Sequence, residues 1–159
     1  MSSGSMISPF RFQSYKIDEF SFRAENDLAV LGKVENVPAD RWEFRLAFRK
    51  PIHFASQQVY VGGVDLDLKL NSDTKEEHGP LMTLHAGIAG MFSFASDADI
   101  NPMVEESLVK YQIPSILLPY LRSCITGFLA SAGAGSVILP LINVRDMARE
   151  IVLEIQREE

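Results

Sequence analysis

Two runs in which apolar and charged residues alternate constrain this chain more than any other feature of its sequence. Side chains on a β-strand point alternately to opposite faces, so this alternation predicts strands with one buried and one solvated face. The apolar positions are Trp42, Phe44, Leu46 and Phe48 in the first run, and Val64, Leu66, Leu68 and Leu70 in the second. The two runs therefore predict a β-sheet with one apolar face.

Three further strand signals surround these runs. A third alternating run covers 82–94 and follows the polar stretch 71–80, which predicts an antiparallel hairpin with a solvated tip. The alternation over 10–22 shifts phase twice, which predicts one long strand interrupted by bulges. The glycine pair 62–63 coincides with another change of phase, and we expect a bulge there as well.

A helix is predicted over 115–132, where apolar residues recur three and four positions apart. Pro119 suits its first turn, and Gly133 or Gly135 suits the position after its last turn. A short helix over 103–111 is expected between the sheet and this helix. The apolar stripe of the long helix comprises Leu121, Cys124, Ile125, Phe128, Leu129 and Ala132.

A second long helix is predicted to begin near Asn143, a residue type that caps helix N-termini. Its apolar face comprises Val144, Met147, Ile151 and Ile155. The apolar stretch 134–142 contains Gly and Pro, so it is expected to join the helices as an extended crossover. The predicted fold class is α+β: a four-stranded antiparallel sheet followed by two long helices joined by an extended crossover segment.

Composition restricts the class of protein. A chain of 159 residues that is 47% hydrophobic suits one folded domain, predicted over 9–159 after a disordered leader at 1–8. A sequence pI of about 5.1 argues against a nucleic-acid-binding protein. The N-terminus lacks the basic start and apolar core of a signal peptide, so a cytoplasmic location is expected. The uncharged stretch 123–144 is interrupted by Gly and Pro, which predicts two shorter segments rather than a membrane span.

No motif predicts catalysis, so we expect a protein that is not an enzyme and that binds no metal or cofactor. No histidine has a second histidine or a cysteine at the spacing of a local metal site, and the nucleophile motif G-x-S-x-G is absent. Cys124, the single cysteine, lies in an apolar stripe and is predicted to be a buried structural thiol. The acidic pairs 105–106 and 158–159 are interpreted as ordinary solvated carboxylates.

The apolar surface exceeds what two helices can cover within one chain. The sheet face, both helix stripes and the stretch 137–142 are all apolar. Such an excess indicates burial between subunits or an exposed groove for apolar partners. A purely structural oligomer and a small-ligand-binding domain remain alternatives to a polypeptide-binding groove.

Three stretches of the chain resemble the SecB family of protein-export chaperones. Residues 113–126, IPSILLPYLRSCIT, are similar to the family's run P-N-I-L-F-P-Y-A-R-E-C-I-T. Residues 90–94, GMFSF, resemble the family's strand end G-I-F-S-I, and residues 139–144, LPLINV, are similar to its inter-helix A-P-V-N-F. The matches follow the family's order, and the resemblance runs over about 10–155.

This resemblance implies an ATP-independent chaperone that binds unfolded polypeptides and keeps them competent for export. It implies a homotetramer, built as a dimer of dimers, in which the first long helix forms an interface through Leu121, Cys124, Ile125 and Phe128. It also implies client grooves lined by the second strand, the crossover and the last helix. The corresponding positions are Trp42, Phe44, Leu46, Phe48, Val137, Leu139, Leu141, Val144, Met147 and Ile151.

Weak binding of the translocation motor SecA is expected, because two of the acidic positions that the family uses for it have changed. Glu19 matches the first position, whereas Arg23 and His85 stand at two others. Charge complementarity selects partners, so a surface with these residues is expected to bind SecA poorly. The expected subtype is therefore a solitary or toxin–antitoxin-associated relative that protects an antitoxin or other clients.

Overall fold

The computed structural model describes residues 10–25, 41–71, 79–95, 100–134, 139 and 143–159. The strands are β1 (Phe10–Ala24), β2 (Trp42–Phe48), β3 (Ile52–Phe54), β4 (Val59–Leu70), β5 (Met82–Phe94) and β6 (Gln156–Glu158). The helices are α1 (Pro102–Ser107), a π-helical turn (Leu108–Gln112), α2 (Ile113–Ser131) and α3 (Val144–Glu150).

The four long strands form the predicted antiparallel sheet. β5 lies between β1 and β4, and the other edge of β4 pairs with β2 along one half and with β3 along the other. The hairpin between β4 and β5 is antiparallel, as predicted, although 72–78 at its tip lie outside the described residues. The structure adds two three-residue strands, β3 and β6, which pair in parallel. The α+β fold class is confirmed.

β1 contains the two predicted irregularities. The register with β5 shifts between Phe12 and Ser14 and again between Ile17 and Glu19, so Gln13 and Asp18 are the inserted residues. Each bulge keeps the following aromatic and aliphatic side chains on the core face. The bulges also redirect their own side chains, since Gln13 Nε2 donates to Ser93 Oγ at 2.8 Å on the neighbouring strand.

The predicted bulge at Gly62-Gly63 is wrong. The register between β4 and β5 is continuous through both glycines, and Gly62 lies directly opposite Gly90. A Cβ atom at Gly62 would lie 2.6 Å from Ile113 Cγ2, and one at Gly90 would lie 2.6 Å from Leu117 Cδ2. Gly62 and Gly90 therefore allow α2 to pack closely on the sheet, and β4 keeps one phase because Tyr60, Gly62 and Val64 all face the core.

The predicted short helix over 103–111 and the predicted long helix form one continuous helical segment. Asn101 caps its start, since its Oδ1 accepts from Val104 N–H at 2.9 Å. The π-helical turn joins α1 to α2, with Ile113 N–H bonded to Leu108 C=O. This wider turn precedes Pro114, which has no N–H to donate. The prediction that Pro119 lies in the first turn is wrong, because the helix begins earlier and Pro119 lies inside α2.

α2 ends where the sequence predicted. Gly133 has a φ of +85°, and Ala134 N–H donates to Leu129 C=O at 2.9 Å, the pattern of a Schellman end. The helical segment Pro102–Ser131 is long and apolar enough to cross a bilayer. However, its row at Leu117, Leu121 and Ile125 is fully buried in the chain's own core. The described residues thus give α2 the role of a core helix.

The prediction of a second long helix is wrong. α3 begins at the predicted cap, where Asn143 Oδ1 accepts from Asp146 N–H at 3.2 Å, but it ends at Glu150. Ile151 already has an extended backbone, and the segment leads into β6. From Ile151 the burial alternates at every second residue, which is a strand pattern. Positions 151 and 155 fit a helix face and a strand face equally well, and β-branched residues favour the strand.

Candidate functional site

The apolar row on β2 lies at the margin of the core. Trp42, Phe44, Leu46 and Phe48 are all partly buried and pack against the core cluster. Their register partners on β4 are Leu70, Leu68, Leu66 and Val64, all nearly or fully buried. Directly paired residues point to the same face, so the row is the outer margin of the core face. Among the described residues no strand pairs with the other edge of β2.

The other predicted client positions have different surroundings. Val144, Met147 and Ile151 are partly buried, and Val144 packs against the same core as the β2 row. Leu139 is buried, and its C=O accepts from Arg122 Nη2 at 2.8 Å, so its side chain offers no surface in this conformation. Val137 and Leu141 lie outside the described residues.

The four residues predicted for the subunit interface divide into two pairs. Leu121 and Ile125 are 0% exposed within one chain, so they offer no surface to a second subunit. Cys124 and Phe128 are partly exposed, and the thiol is therefore less buried than predicted. The ring of Phe128 contacts the rings of Phe20 and Phe22 on β1, with centroids 4.6 and 4.9 Å apart.

Exposed aromatic side chains line the junction between β1 and α2. Tyr15, Phe20 and Tyr120 are 46, 38 and 41% exposed. Tyr15 contacts Tyr120 with ring centroids 4.5 Å apart. We name Tyr15, Phe20, Tyr120 and Phe128 the aromatic patch. It combines exposed aromatic area with the outer edge of β1, which has no partner among the described strands.

A charged network lies on the opposite face of the sheet. Asp18 accepts from Arg49 Nη1 at 2.6 Å and from Nη2 at 2.8 Å, and Asp65 accepts from Nε at 3.0 Å and from Nη2 at 2.8 Å. The Arg49 side chain reaches both because it crosses Gly63 and Gly87, where any Cβ would collide with it. The hydrogen bond from Arg49 lowers the pKa of Asp18 and, with that to Asp65, raises the pKa of Arg49.

His85 continues this network on β5. Its Nε2 lies 2.8 Å from Glu19 Oε2, and its Nδ1 lies 2.7 Å from Asp67 Oδ1. Ligand atoms of Glu19, Asp65 and His85 all lie within 4.8 Å of one another, close enough to share a cation. Arg49 already bonds both oxygens of Asp65, which opposes such an ion. The arrangement is therefore best described as an ion-pair network across three strands.

The His85 network predicts a pH-dependent contribution to stability. The hydrogen bonds to Glu19 and then Asp67 raise the pKa of His85 above its usual 6.5, and Asp65 adds to this. Protonated His85 therefore stabilises the folded state. This contribution is fully present below pH 6.5 and is lost as the pH rises through the folded-state pKa. We expect wild type to lose roughly 0.5–1 kcal/mol more than His85→Gln between pH 5.5 and 8.5, measured by urea unfolding. Equal losses in the two proteins would contradict this.

A second polar cluster joins the helical segment to the C-terminal strand. Tyr60 is 2% exposed, and its hydroxyl donates to the carboxylate of Glu105. Arg157 donates to the same carboxylate, with Nη1 lying 3.0 Å from Oε2. Burial, followed by the bond to Glu105, raises the pKa of Tyr60, while Arg157 lowers the pKa of Glu105. The interpretation of Glu105 as a solvated carboxylate is wrong, since its side chain is 14% exposed. The signal in the sequence was a tyrosine inside an apolar strand, which needs a polar partner.

Comparisons with known proteins identify the fold. No protein-family model and no curated protein matches the chain. Among solved structures, the SecB-like chaperone Rv1957 of Mycobacterium tuberculosis, in complex with a ChAD peptide from the HigA1 antitoxin, matches with a TM-score of 0.59 at 12% sequence identity. The match covers 84% of this chain and 91% of that chain. A protein of unknown function from Streptococcus agalactiae matches with a TM-score of 0.46 at 12% identity, over 83 and 97% of the two chains. The chain has a SecB-like fold, as the resemblance in its sequence predicted.

Proposed function

We propose that this protein is an ATP-independent holdase chaperone that binds unfolded polypeptides in the cytoplasm. The observation that carries the proposal is the partly exposed row Trp42, Phe44, Leu46 and Phe48 at the margin of a SecB-like sheet. Three aromatic rings and a leucine, each partly exposed, offer apolar contacts of low sequence preference. Binding by burial of this area needs neither nucleotide nor cofactor, so the protein acts without catalysis.

An antitoxin is the client class that we favour. The SecB-like chaperone of similar fold is in complex with a peptide from an antitoxin, which supports a client of this kind. Weak contacts at one surface become strong when several surfaces hold one chain, because later contacts are intramolecular. Release then requires only that the client fold and withdraw its apolar segments.

We further propose a homotetramer built through the aromatic patch. Its exposed rings lie beside the outer edge of β1, with which no other described strand pairs, and both favour association with a second copy. Cys124 and Phe128, the partly exposed members of the predicted interface, lie on the same helix. This assembly would give the several client surfaces that high avidity requires.

Paired substitutions on β2 test the holdase function. Phe44→Asn with Leu46→Asn places two amides on the apolar row, and we expect affinity for an unfolded client to fall about tenfold or more. Arg45→Asn with Ala47→Asn is the matched control, because the same amides then project from the exposed face of the same strand. The measurement is light scattering of guanidine-denatured citrate synthase diluted without nucleotide, with circular dichroism as the check on folding.

Two results of that experiment would contradict the proposal. Wild-type protein that leaves the scattering unchanged at excess would exclude holdase activity and favour a structural oligomer. An equal loss of client affinity in both folded variants would show that the client does not bind to the apolar row on β2. Saturable binding of a small molecule in a polar pocket would instead support the small-ligand alternative.

Coupling to SecA is proposed to be weak or absent. Glu19, the one matching acidic residue, is bonded to His85, and Arg23 is 80% exposed with its charge reversed relative to the family's position. An acidic docking surface is therefore partly neutralised. We expect no retention of SecA by the immobilised protein at physiological salt, and tight retention would refute this part of the proposal.

A further inference from the structure

The C-terminal strap, which we define as residues 151–158, occupies the edge of β3 in an extended conformation. β6 pairs in parallel with β3, with Gln156 opposite Ile52 and Glu158 opposite Phe54. We propose that this edge is a docking site for extended segments of unfolded polypeptides, and that the strap is a built-in occupant which a client displaces. The inference rests on the proposed function and concerns the regulation of client binding.

Main-chain hydrogen bonds hold the strap at this edge. Gln156 N–H donates to Pro51 C=O at 2.9 Å, and Ala55 N–H donates to Glu158 C=O at 2.9 Å. These bonds use no side chain, so any extended segment can form them in place of the strap. Strand addition of this kind suits a chaperone, because unfolded clients share a backbone and little else.

The polar anchor of the strap is the side chain of Arg157. Arg157 donates to Glu105 and also lies 3.1 Å from His53 Nδ1. Before it, Ile151, Leu153 and Ile155 are partly buried, alternating with the exposed Val152 and Glu154. The edge therefore favours a client segment in which apolar residues alternate and a basic residue follows them.

Within the strap, Ile155 packs against the core cluster, whereas Ile151 and Leu153 are only partly buried outside it, and this limited apolar contact makes the strap displaceable. Val152 is 86% exposed, and all three residues of β6 are exposed. An open depression of about 480 Å³ lies between the strap and the helical segment, and it is lined on the two sides by Val109 and Ile155 among others. A segment with so little buried surface opens locally at low free energy. Departure of the strap would widen this depression into a longer groove beside β3.

A reversible disulfide tests the displacement. Phe54→Cys with Glu158→Cys, in a Cys124→Ser background, joins two residues in register across β3 and β6. The probe is fluorescently labelled carboxymethylated α-lactalbumin, which stays unfolded with or without reductant. We expect the oxidised protein to bind about tenfold more weakly, and dithiothreitol to restore the affinity of the Cys124→Ser parent. Restoration by the reductant also shows that the double variant is folded.

A second test loosens the strap by removing its arginine anchor. Arg157→Ala removes the anchor, so we expect probe affinity to rise about threefold to tenfold. Arg149→Ala is the matched control, since Arg149 lies on α3 and pairs only at 3.8 Å with Asp146 among the described residues. Hydrogen exchange should show lost protection at 151–158 when the probe binds, with protection kept over 52–55.

The possible outcomes distinguish a failure of the strap proposal from a failure of the holdase proposal. Equal probe binding by oxidised and reduced protein overturns the strap inference and leaves the holdase function standing. Unchanged or weaker binding by Arg157→Ala also overturns it. A wild-type protein that binds no unfolded probe overturns both, since the edge then has no client.

Discussion

Leu121→Ala should lower the free energy of unfolding by about 2–5 kcal/mol. Leu121 is 0% exposed at the middle of α2, where it belongs to the core cluster between this helix and the sheet. Truncation to alanine removes the buried methyl groups and leaves a cavity that the close-packed helix cannot fully close. Urea unfolding followed by circular dichroism measures the loss, and native mass spectrometry should show an unchanged number of subunits.

A substitution at the neighbouring Tyr120 distinguishes a role in the proposed subunit interface from a role in the core. Tyr120 is 41% exposed in the aromatic patch, so Tyr120→Ala should weaken subunit association and change the stability of each subunit much less. The contrary pattern, in which Leu121→Ala dissociates the assembly and leaves subunit stability intact, would place Leu121 in an interface and contradict the packing described above.

Arg49→Ala should destabilise the fold by about 2–4 kcal/mol at neutral pH. The substitution leaves the carboxylates of Asp18 and Asp65 close together without their shared cation, on a surface where each is only about one-quarter exposed. Arg49→Lys should recover part of the loss, because lysine keeps the charge and lacks the planar fork that bonds both groups. Arg45→Ala, on the exposed positions of β2, should cost less than about 1 kcal/mol.

Acid should reduce the effect of Arg49→Ala. Arg49 lowers the pKa of Asp18 below its usual 3.8, so this pair stabilises the fold above that pH and the contribution is lost as pH falls through the folded-state pKa. Urea unfolding of wild type and variant at pH 7 and below pH 3 measures this, and the difference in stability should shrink in acid. A difference that stays constant would mean that Arg49 acts by packing over Gly63 and Gly87 and that its charge is unimportant.

Local patterns predicted most of the sheet and the ends of the helices. The alternation in β2, β4 and β5 correctly assigned their two faces, since the period of a strand is two whatever lies next to it. The two phase shifts in β1 located its bulges. Asn143 and Gly133 marked helix ends, because capping depends on side chains and φ angles within a few residues.

The candidate site was predictable only in part. The β2 row could be named from its own alternation, whereas the exposure of α2 residues depended on which side of the helix meets the sheet. Arg49 and Glu105 carried no local signal, because their partners Asp18 and Tyr60 lie far away along the chain. The bulge at Asp18 and the placement of α1 beside β4 bring these groups together, and neither is encoded in the spacing of the charged residues.

The fate of the C-terminal segment shows where local information ends. Ile151 and Ile155 suit a helix or a strand, and the spacing of two residues by four positions cannot distinguish them. Only the tertiary structure supplies the outer edge of β3 and the carboxylate of Glu105, which hold the segment in an extended conformation. Periodicity thus decided which residues are buried, while long-range pairing decided which backbone conformation buries them.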